Sequence, residues 1–385
     1  MAAPTDAKVA FFTDTYHPQV NGLVTAIDAS RAKLPGLGWQ VLVFAPHLRG
    51  EEPDPSVVRL LSLTYPPQPE YSIVLPWGRG LHFFGFKRHG LRLIHSHAHF
   101  SAGLIAAALA FLHKLPLVMT YHTLWEDYAH YTPLPRALTL WFNRAYTRWL
   151  CRRCELVIAP SQAIAAKLRS YGVATRVEVL PTGLTDDAYA KTGVVKSSFG
   201  AGEGVRLLSS AGRLGPEKRF HLLLRALASA GSSLGPWRLC LAGDGPQRGE
   251  LEALAKELGI AEQVRFLGYL PRAKVLDLME ASDLFVFPSP TETQGLVVIE
   301  SMARGTPVLG VDAMGVGATL AGERGGWLAR PDDISDLSSK LQRALGDPAA
   351  LAAKAAEAEQ MARGYAAGEV NAKLAELYQG VVDPA

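Results

Sequence analysis

At 385 residues, 48% hydrophobic and 19% charged, the chain has an ordinary soluble composition and, at roughly 150 residues per domain, room for two domains that each bury a core. Its longest apolar run, Ser101 to Leu112, is shorter than the ~20 residues that span a bilayer, and its three cysteines exclude a disulfide framework. Met1 to Ala10 lacks the basic and long apolar stretches of a secretory leader, so a reducing, cytoplasmic setting is expected.

Strands are predicted at Lys8 to Phe12, Gln40 to Phe44, Leu93 to His95, Leu117 to Tyr121, Leu156 to Ala159 and Arg176 to Leu180. The rhythm restarts at Arg206 to Ala211, Arg238 to Ala242, Gln263 to Leu267, Leu284 to Phe287 and Pro307 to Gly310. Helical-period segments alternate with these runs, which predicts an α/β protein with parallel, doubly wound sheets. Polar, Gly- and Ser-rich Thr185 to Gly204 reads as the linker, dividing the chain into residues 1–188 and 189–368. The Ala-rich tail from Asp347 reads as helix, and its last part, about 369–385, is expected to pack back on the first domain. In open parallel sheets ligands sit at the carboxyl ends of strands, so the loops after them should carry the chemistry.

Three such loops stand out in the second half. Gly212-Arg213-Leu214-Gly215-Pro216-Glu217-Lys218 joins a tight turn to a forked guanidinium and an ammonium, a combination suited to a diphosphate. Ala242-Gly243-Asp244-Gly245-Pro246 alone reads as a generic strand-to-helix turn. Pro288 to Glu300 places carboxylates at Glu292 and Glu300 across a Gly turn and a helix start, where acceptor-only groups suit sugar hydroxyls.

These motifs, with Phe266-Leu267-Gly268 and Ser301 to Val308, fall in the order that resembles the retaining glycosyltransferases of family 4. The resemblance implies the GT-B fold, two Rossmann-like doubly wound parallel-sheet domains facing across a cleft, the first binding the acceptor and the second a nucleotide sugar. It implies catalytic roles for His122, Glu292, Arg213 and Lys218. Arg213 and Lys218 would clamp the diphosphate, Glu292 and the amides of Gly295, Leu296 and Val297 would hold the sugar, and Glu300 would bind the ribose. Gly22, in the loop after the first strand, and Gly245 would lie against the donor, and His122 near the transferred sugar. No cofactor is expected beyond the nucleotide sugar, UDP-glucose, as co-substrate. The chain has no Asp-x-Asp triplet, so no metal is expected. The alternating His95, His97 and His99 could bind one if all three faced the same way, although similar runs recur in the family.

For the acceptor, Thr120-Tyr121-His122-Thr123-Leu124-Trp125-Glu126-Asp127-Tyr128-Ala129-His130-Tyr131 and Glu292-Thr293-Gln294-Gly295 resemble the bacterial diacylglycerol glucosyltransferases. That likeness implies an α-glycolipid product and an acceptor site drawing on Tyr16, Glu126, Asp127, Tyr128 and His130. Soluble or polysaccharide acceptors, a nucleotide-sugar epimerase and a non-catalytic sensor are the rivals.

Charge points the same way. The net charge of +3 conceals 18 Lys/Arg against 13 Asp/Glu in residues 1–190, and between Tyr71 and Cys154 the acids are Glu126 and Asp127 alone. Within that stretch, residues 76–92 and 134–154 interleave arginines with aromatic residues, as segments at an anionic membrane face do. A peripheral place on the inner face of the cell membrane is therefore expected, and nucleic acid is not, since no nucleic-acid module accompanies the charge. Cys151 and Cys154, a single C-x-x-C inside the Arg-rich helix, read as helix surface rather than a zinc site.

Overall fold

The computed structural model describes residues 7–19, 21–64, 72–75, 86, 89–124, 126 and 135–383. They divide into two compact units, Met1–Gly183 with Ala367–Ala385, and Leu184–Ala366.

The first unit holds β1 (Ala7–Phe12), α1 (Gly22–Lys33), β2 (Trp39–Pro46), β3 (Val57–Leu60), β4 (Ser62–Thr64), β5 (Ser72–Val74), β6 (Leu91–Ser96) and α2 (Ser101–His113). There follow β7 (Leu117–Thr120), α3 (Arg136–Cys151), β8 (Leu156–Ala159), α4 (Gln162–Ser170) and β9 (Val177–Val179). Seven strands form a parallel sheet in the order β3-β2-β1-β6-β7-β8-β9, and β4 pairs antiparallel with β5. Central strands such as Leu117–Thr120 and Leu156–Ala159 are buried along their whole length, as strands covered on both faces must be. α1 starts where Asn21 accepts from the amides of Leu23 and Val24, a side-chain cap worth ~1 kcal/mol.

The second unit holds β10 (Arg206–Ala211), α5 (Phe220–Ala230), β11 (Trp237–Ala242), α6 (Arg248–Glu257), β12 (Val264–Gly268), α7 (Arg272–Ala281) and β13 (Leu284–Phe287). After it come α8 (Leu296–Ala303), β14 (Val308–Val311), α9 (Met314–Thr319), β15 (Gly326–Ala329), α10 (Ile334–Gly346) and α11 (Pro348–Ala362). Its six parallel strands run β12-β11-β10-β13-β14-β15. α5 buries Phe220, Leu223, Leu224, Leu227 and Ala230 at helical spacing against the sheet, each large side chain contributing roughly 1.5–3 kcal/mol.

The last helix, α12 (Ala367–Val382), belongs to the first unit. Its Val370, Leu374, Leu377 and Tyr378 join the core of β1, β2 and α1, with Tyr378 edge-on to Trp39.

The segment read as a linker is not one. Leu184, Ala188 and Ala201 are fully buried in the second unit's core, and the amides of Thr192 and Gly193 donate to Glu280. A polar segment without apolar periodicity is ordered here by side chains distant in sequence.

In both sheets the strand order reverses beside the first strand. β1 stands between β2 and β6, and β10 between β11 and β13. At such a switch point the loops leaving neighbouring strands diverge to opposite faces and open a crevice at their carboxyl ends.

Candidate active site

In the second unit the loops after β10 and β13 flank that crevice. Gly212 to Lys218 is zipped to the loop after β11. Gly212 N–H donates to Ala242 O, Leu214 N–H to Asp244 O, and Gln247 N–H to Leu214 O, all at 2.9 Å. Glycine is required at this seam. A Cβ on Gly243, whose φ is +134°, would lie 1.9 Å from Gly212 O, and one on Gly245 would lie 2.7 Å from Leu214 O. Gly245 thus holds the loop that carries Arg213, which is half-buried at the end of β10.

The loop after β13 brings Glu292 to Lys218. Lys218 Nζ donates to Glu292 Oε1, and Ser289 Oγ, fully buried, donates to the same oxygen at 3.0 Å. Gly315 N–H donates to Glu292 O at 2.8 Å, and a Cβ on Gly315 would lie 2.5 Å from Gln294 Cα, so α9 supports this loop closely. Gly295, at φ +80° and ψ +59°, turns the chain into α8. The amides of Leu296 and Val297 therefore lie in the first helical turn, where backbone donors have no intrahelical partner and carry the positive end of the helix dipole.

Glu300 lies one turn further along α8 and is buried. Arg272, at the start of α7, donates from Nε to Glu300 Oε1 at 2.9 Å and also binds Asp187. Burial raises the Glu300 carboxyl above its ordinary range, and the Arg272 guanidinium opposes that rise. Sequence reading missed Arg272, which lies 28 residues from its partner and outside every motif, and gave no role to Ser289, although it falls within Pro288 to Glu300.

In the first unit the strand ends gather histidines. His97 Nδ1 lies 2.9 Å from His122 Nε2, and His95, its ring tilted against that of His97 with centroids 4.1 Å apart, bonds Thr120 through Nε2 and Tyr378 through Nδ1. His99 turns instead to α3, where Thr147 Oγ1 lies 3.2 Å away and Tyr146 donates to its carbonyl. The three alternating histidines therefore do not converge, and among the described residues no three His, Cys, Asp or Glu side chains gather for a metal. Burial pulls His122 down to about 4 and His99 to about 3, and holds His95 and His97 well below the usual range, so all four are neutral at pH 7. A cavity of about 30 Å³ lined by His95, His97, Thr120 and His122 adjoins them, room for one or two waters.

Gly22 is the first residue of α1, and nothing lies within 4 Å of a Cβ built there. Asp14 is buried on the loop after β1, and its Oδ1 accepts from Ser101 Oγ and from the Ala102 amide, capping α2. Tyr16 is 1% exposed. Its hydroxyl donates to Asp28 at 2.8 Å and accepts from Arg31 at 3.0 Å, so in this structure the side chain supports the loop rather than reaching solvent. Glu126 pairs with Lys167 and, at 3.4 Å, with Arg144. Asp127, Tyr128 and His130 lie outside the described residues, as does most of 76–92.

Phe86, expected in a surface segment, is instead packed on Phe12, Phe44 and His113. Cys151 and Cys154 are likewise buried, contrary to the surface reading. α3 nevertheless faces outward with apolar groups. Leu138, Trp141, Phe142 and Trp149 are exposed, Phe142, Tyr146 and Trp149 stack in a row, and Arg153 lies 3.6 Å over the Trp149 ring. On α2, Leu104, Phe111 and Leu112 are exposed. No helix of the described residues is long and apolar enough to cross a membrane.

Comparison with known proteins agrees with this architecture. Residues 195–363 match the family model described as Glycosyl transferases group 1, and residues 20–188 that described as Glycosyltransferase Family 4. Over 318 residues the chain is 30% identical to the alpha-monoglucosyldiacylglycerol synthase of Streptococcus pneumoniae, a match covering 78% of this chain and 70% of that protein. It is 26% identical over 320 residues to the enzyme of the same name from Acholeplasma laidlawii, covering 78% and 79%. Among solved structures, Anabaena Alr3699/HepE in complex with UDP and glucose superposes with a TM-score of 0.77 at 20% identity, over 97% of this chain and 100% of that one.

Proposed function

The chain belongs to the family 4 glycosyltransferases and is a hexosyltransferase with the GT-B fold, and from that premise we propose that it moves glucose from UDP-glucose to a membrane glycerolipid, diacylglycerol, with retention at the anomeric carbon. The observation that carries the donor half is the meeting of Lys218, Glu292 and Ser289 at the switch point of the second sheet. Lys218 and Arg213 supply fixed positive charge for a diphosphate, and the α8 amides add oriented donors. Glu292 accepts from sugar hydroxyls, and Glu300 from those of ribose. Gly22 needs no glycine for its own backbone or packing, which suits a position that a ligand approaches closely.

In the transfer, the bond from the sugar's anomeric carbon to the β-phosphate oxygen breaks, and a bond from the acceptor oxygen to that carbon forms on the same face. The acceptor's proton passes to the departing diphosphate, whose charge Lys218, Arg213 and the α8 amides stabilise. His122, kept neutral by burial, offers a hydrogen bond to the sugar without adding charge.

The lipid acceptor is supported by relatives bearing the name alpha-monoglucosyldiacylglycerol synthase and by the exposed aromatic row of α3. With arginines beside it, that row suits an anionic headgroup plane on the inner face of the cell membrane. Asp127, Tyr128 and His130 remain part of this acceptor proposal. The test supplies labelled UDP-glucose with diacylglycerol in anionic vesicles. Label should enter the lipid fraction, and Trp141→Ser with Phe142→Ser should weaken vesicle binding without lowering thermal stability. Donor consumption that ignores lipid and responds to soluble sugars overturns the reading.

A further inference from the structure

Glu300 poses a physical problem that its neighbours solve. An acceptor for ribose hydroxyls must be ionised, yet this carboxylate is 6% exposed, and burial alone favours its neutral form. The groups facing it come from three elements. From α7 comes Arg272, bonded to Oε1 at 2.9 Å. From the end of α8, one turn on, comes its capping residue Arg304. From the chain entering the unit comes Asp187. Arg304 is already engaged, donating to Glu280 at 2.7 Å and to Asp187 O at 2.8 Å. Glu280 is saturated further by the amides of Thr192 and Gly193. Arg272 is therefore the cation in contact with Glu300, and among the described residues Oε2 has no bonded partner.

We infer that Arg272 is a positioning residue of the donor site: it holds Glu300 by Oε1, keeps that buried carboxylate an acceptor, and leaves Oε2 for a hydroxyl of the nucleotide's ribose. Its second bond, to Asp187, fixes the guanidinium plane, so the carboxylate is presented in one orientation rather than several. A lysine supplies the charge but not the fork. The inference rests on the donor reading above, in which Glu300 takes the ribose.

The experiment measures UDP affinity of the full chain by calorimetry from about pH 6 to about pH 9. It uses wild type, Arg272→Gln, Arg272→Lys, Glu300→Gln and the double variant Arg272→Gln/Glu300→Gln. Wild type should vary little with pH. Arg272→Gln should bind UDP at least about tenfold more weakly at the acid end and recover as pH rises, because an unpaired buried carboxyl ionises only at higher pH. Arg272→Lys should lose about threefold or less, with little pH dependence. Removing one partner of a buried pair can unfold a protein, whereas removing both is often tolerated, so the double variant guards against misfolding. In the Glu300→Gln background, Arg272→Gln should cost nothing further. A loss in Arg272→Gln that is independent of pH, or one of equal size in the Glu300→Gln background, overturns the inference. If Glu300→Gln itself binds UDP like wild type, it is the ribose assignment that fails.

Discussion

The loops around Lys218 and Glu292 and the strand ends around His97 and His122 treat polarity in opposite ways. The first set concentrates charge, an ammonium against a carboxylate beside a helix start, on loops locked together by glycines that tolerate no side chain. The second gathers four imidazoles at the carboxyl ends of central strands and strips them of charge by burial. In the proposed reaction the charge belongs where a diphosphate departs, and neutrality where an uncharged sugar is held. A cation beside the sugar would add nothing to its binding and would cost desolvation.

The sharpest way to break this contrast is to remove charge from the first set. Lys218→Ala and Glu292→Gln should each lower kcat by about 10²–10³, the usual scale for losing one preorganised electrostatic group. Near-normal turnover in both would remove the donor site from these loops.

The second test separates scaffold from ligand approach. Gly243→Ala forces a Cβ to 1.9 Å from Gly212 O at a φ of +134° and should destabilise the second unit by about 2 kcal/mol or more, weakening donor binding with it. Gly22→Ala meets nothing within 4 Å, so its melting temperature should match wild type while donor KM rises. Equal melting temperatures for the two variants would contradict the distinction.

The neutral histidines predict a pH dependence of stability. His122 falls from 6.5 to about 4 on folding, so between those values the unfolded chain takes up a proton that the folded chain refuses. Its contribution is complete above pH 6.5 and is lost as pH drops, on the order of 3 kcal/mol by pH 4. Urea denaturation across this window should show wild type losing stability more steeply than His122→Gln; parallel curves would mean that His122 is not held neutral. The smallest effect should come from His97→Asn, which loses the 2.9 Å contact with His122 and should lower kcat several-fold, by about 1 kcal/mol. It should leave UDP affinity unchanged, and a change in UDP affinity alone would speak against a role through His122.

Much of this was legible in the chain. The runs Leu156–Ala159, Arg206–Ala211 and Leu284–Phe287 are closed sharply enough, by Pro160, Gly212 and Pro288, to mark strands without error at either end. By contrast Val57–Leu60 and Gly326–Ala329 were not read as strands. Both are edge strands, no shorter than Leu156–Ala159 but one interrupted by an arginine and the other opened by a glycine, and they form because a neighbour offers an open ladder. In the site, motif spacing exposed Lys218 and Glu292 but not that they bond across 74 residues. Arg272 carried no signal at all, since an arginine opening a helix looks like surface until its partners are known. Tyr16 entered the acceptor site through resemblance alone, and nothing in the sequence announced that its hydroxyl is taken by Asp28 and Arg31, 12 and 15 residues away.

The helix α12 sets an order of events during synthesis. The core of the first unit is closed by Val370, Leu374, Leu377 and Tyr378, which leave the ribosome only after the whole second unit has been made. At about 5–20 residues per second that delay is roughly ten seconds or more, during which a nascent sheet waits with part of one face uncovered. The second unit, made later, ends at Ala366, so all of its own residues are in hand before α12 appears.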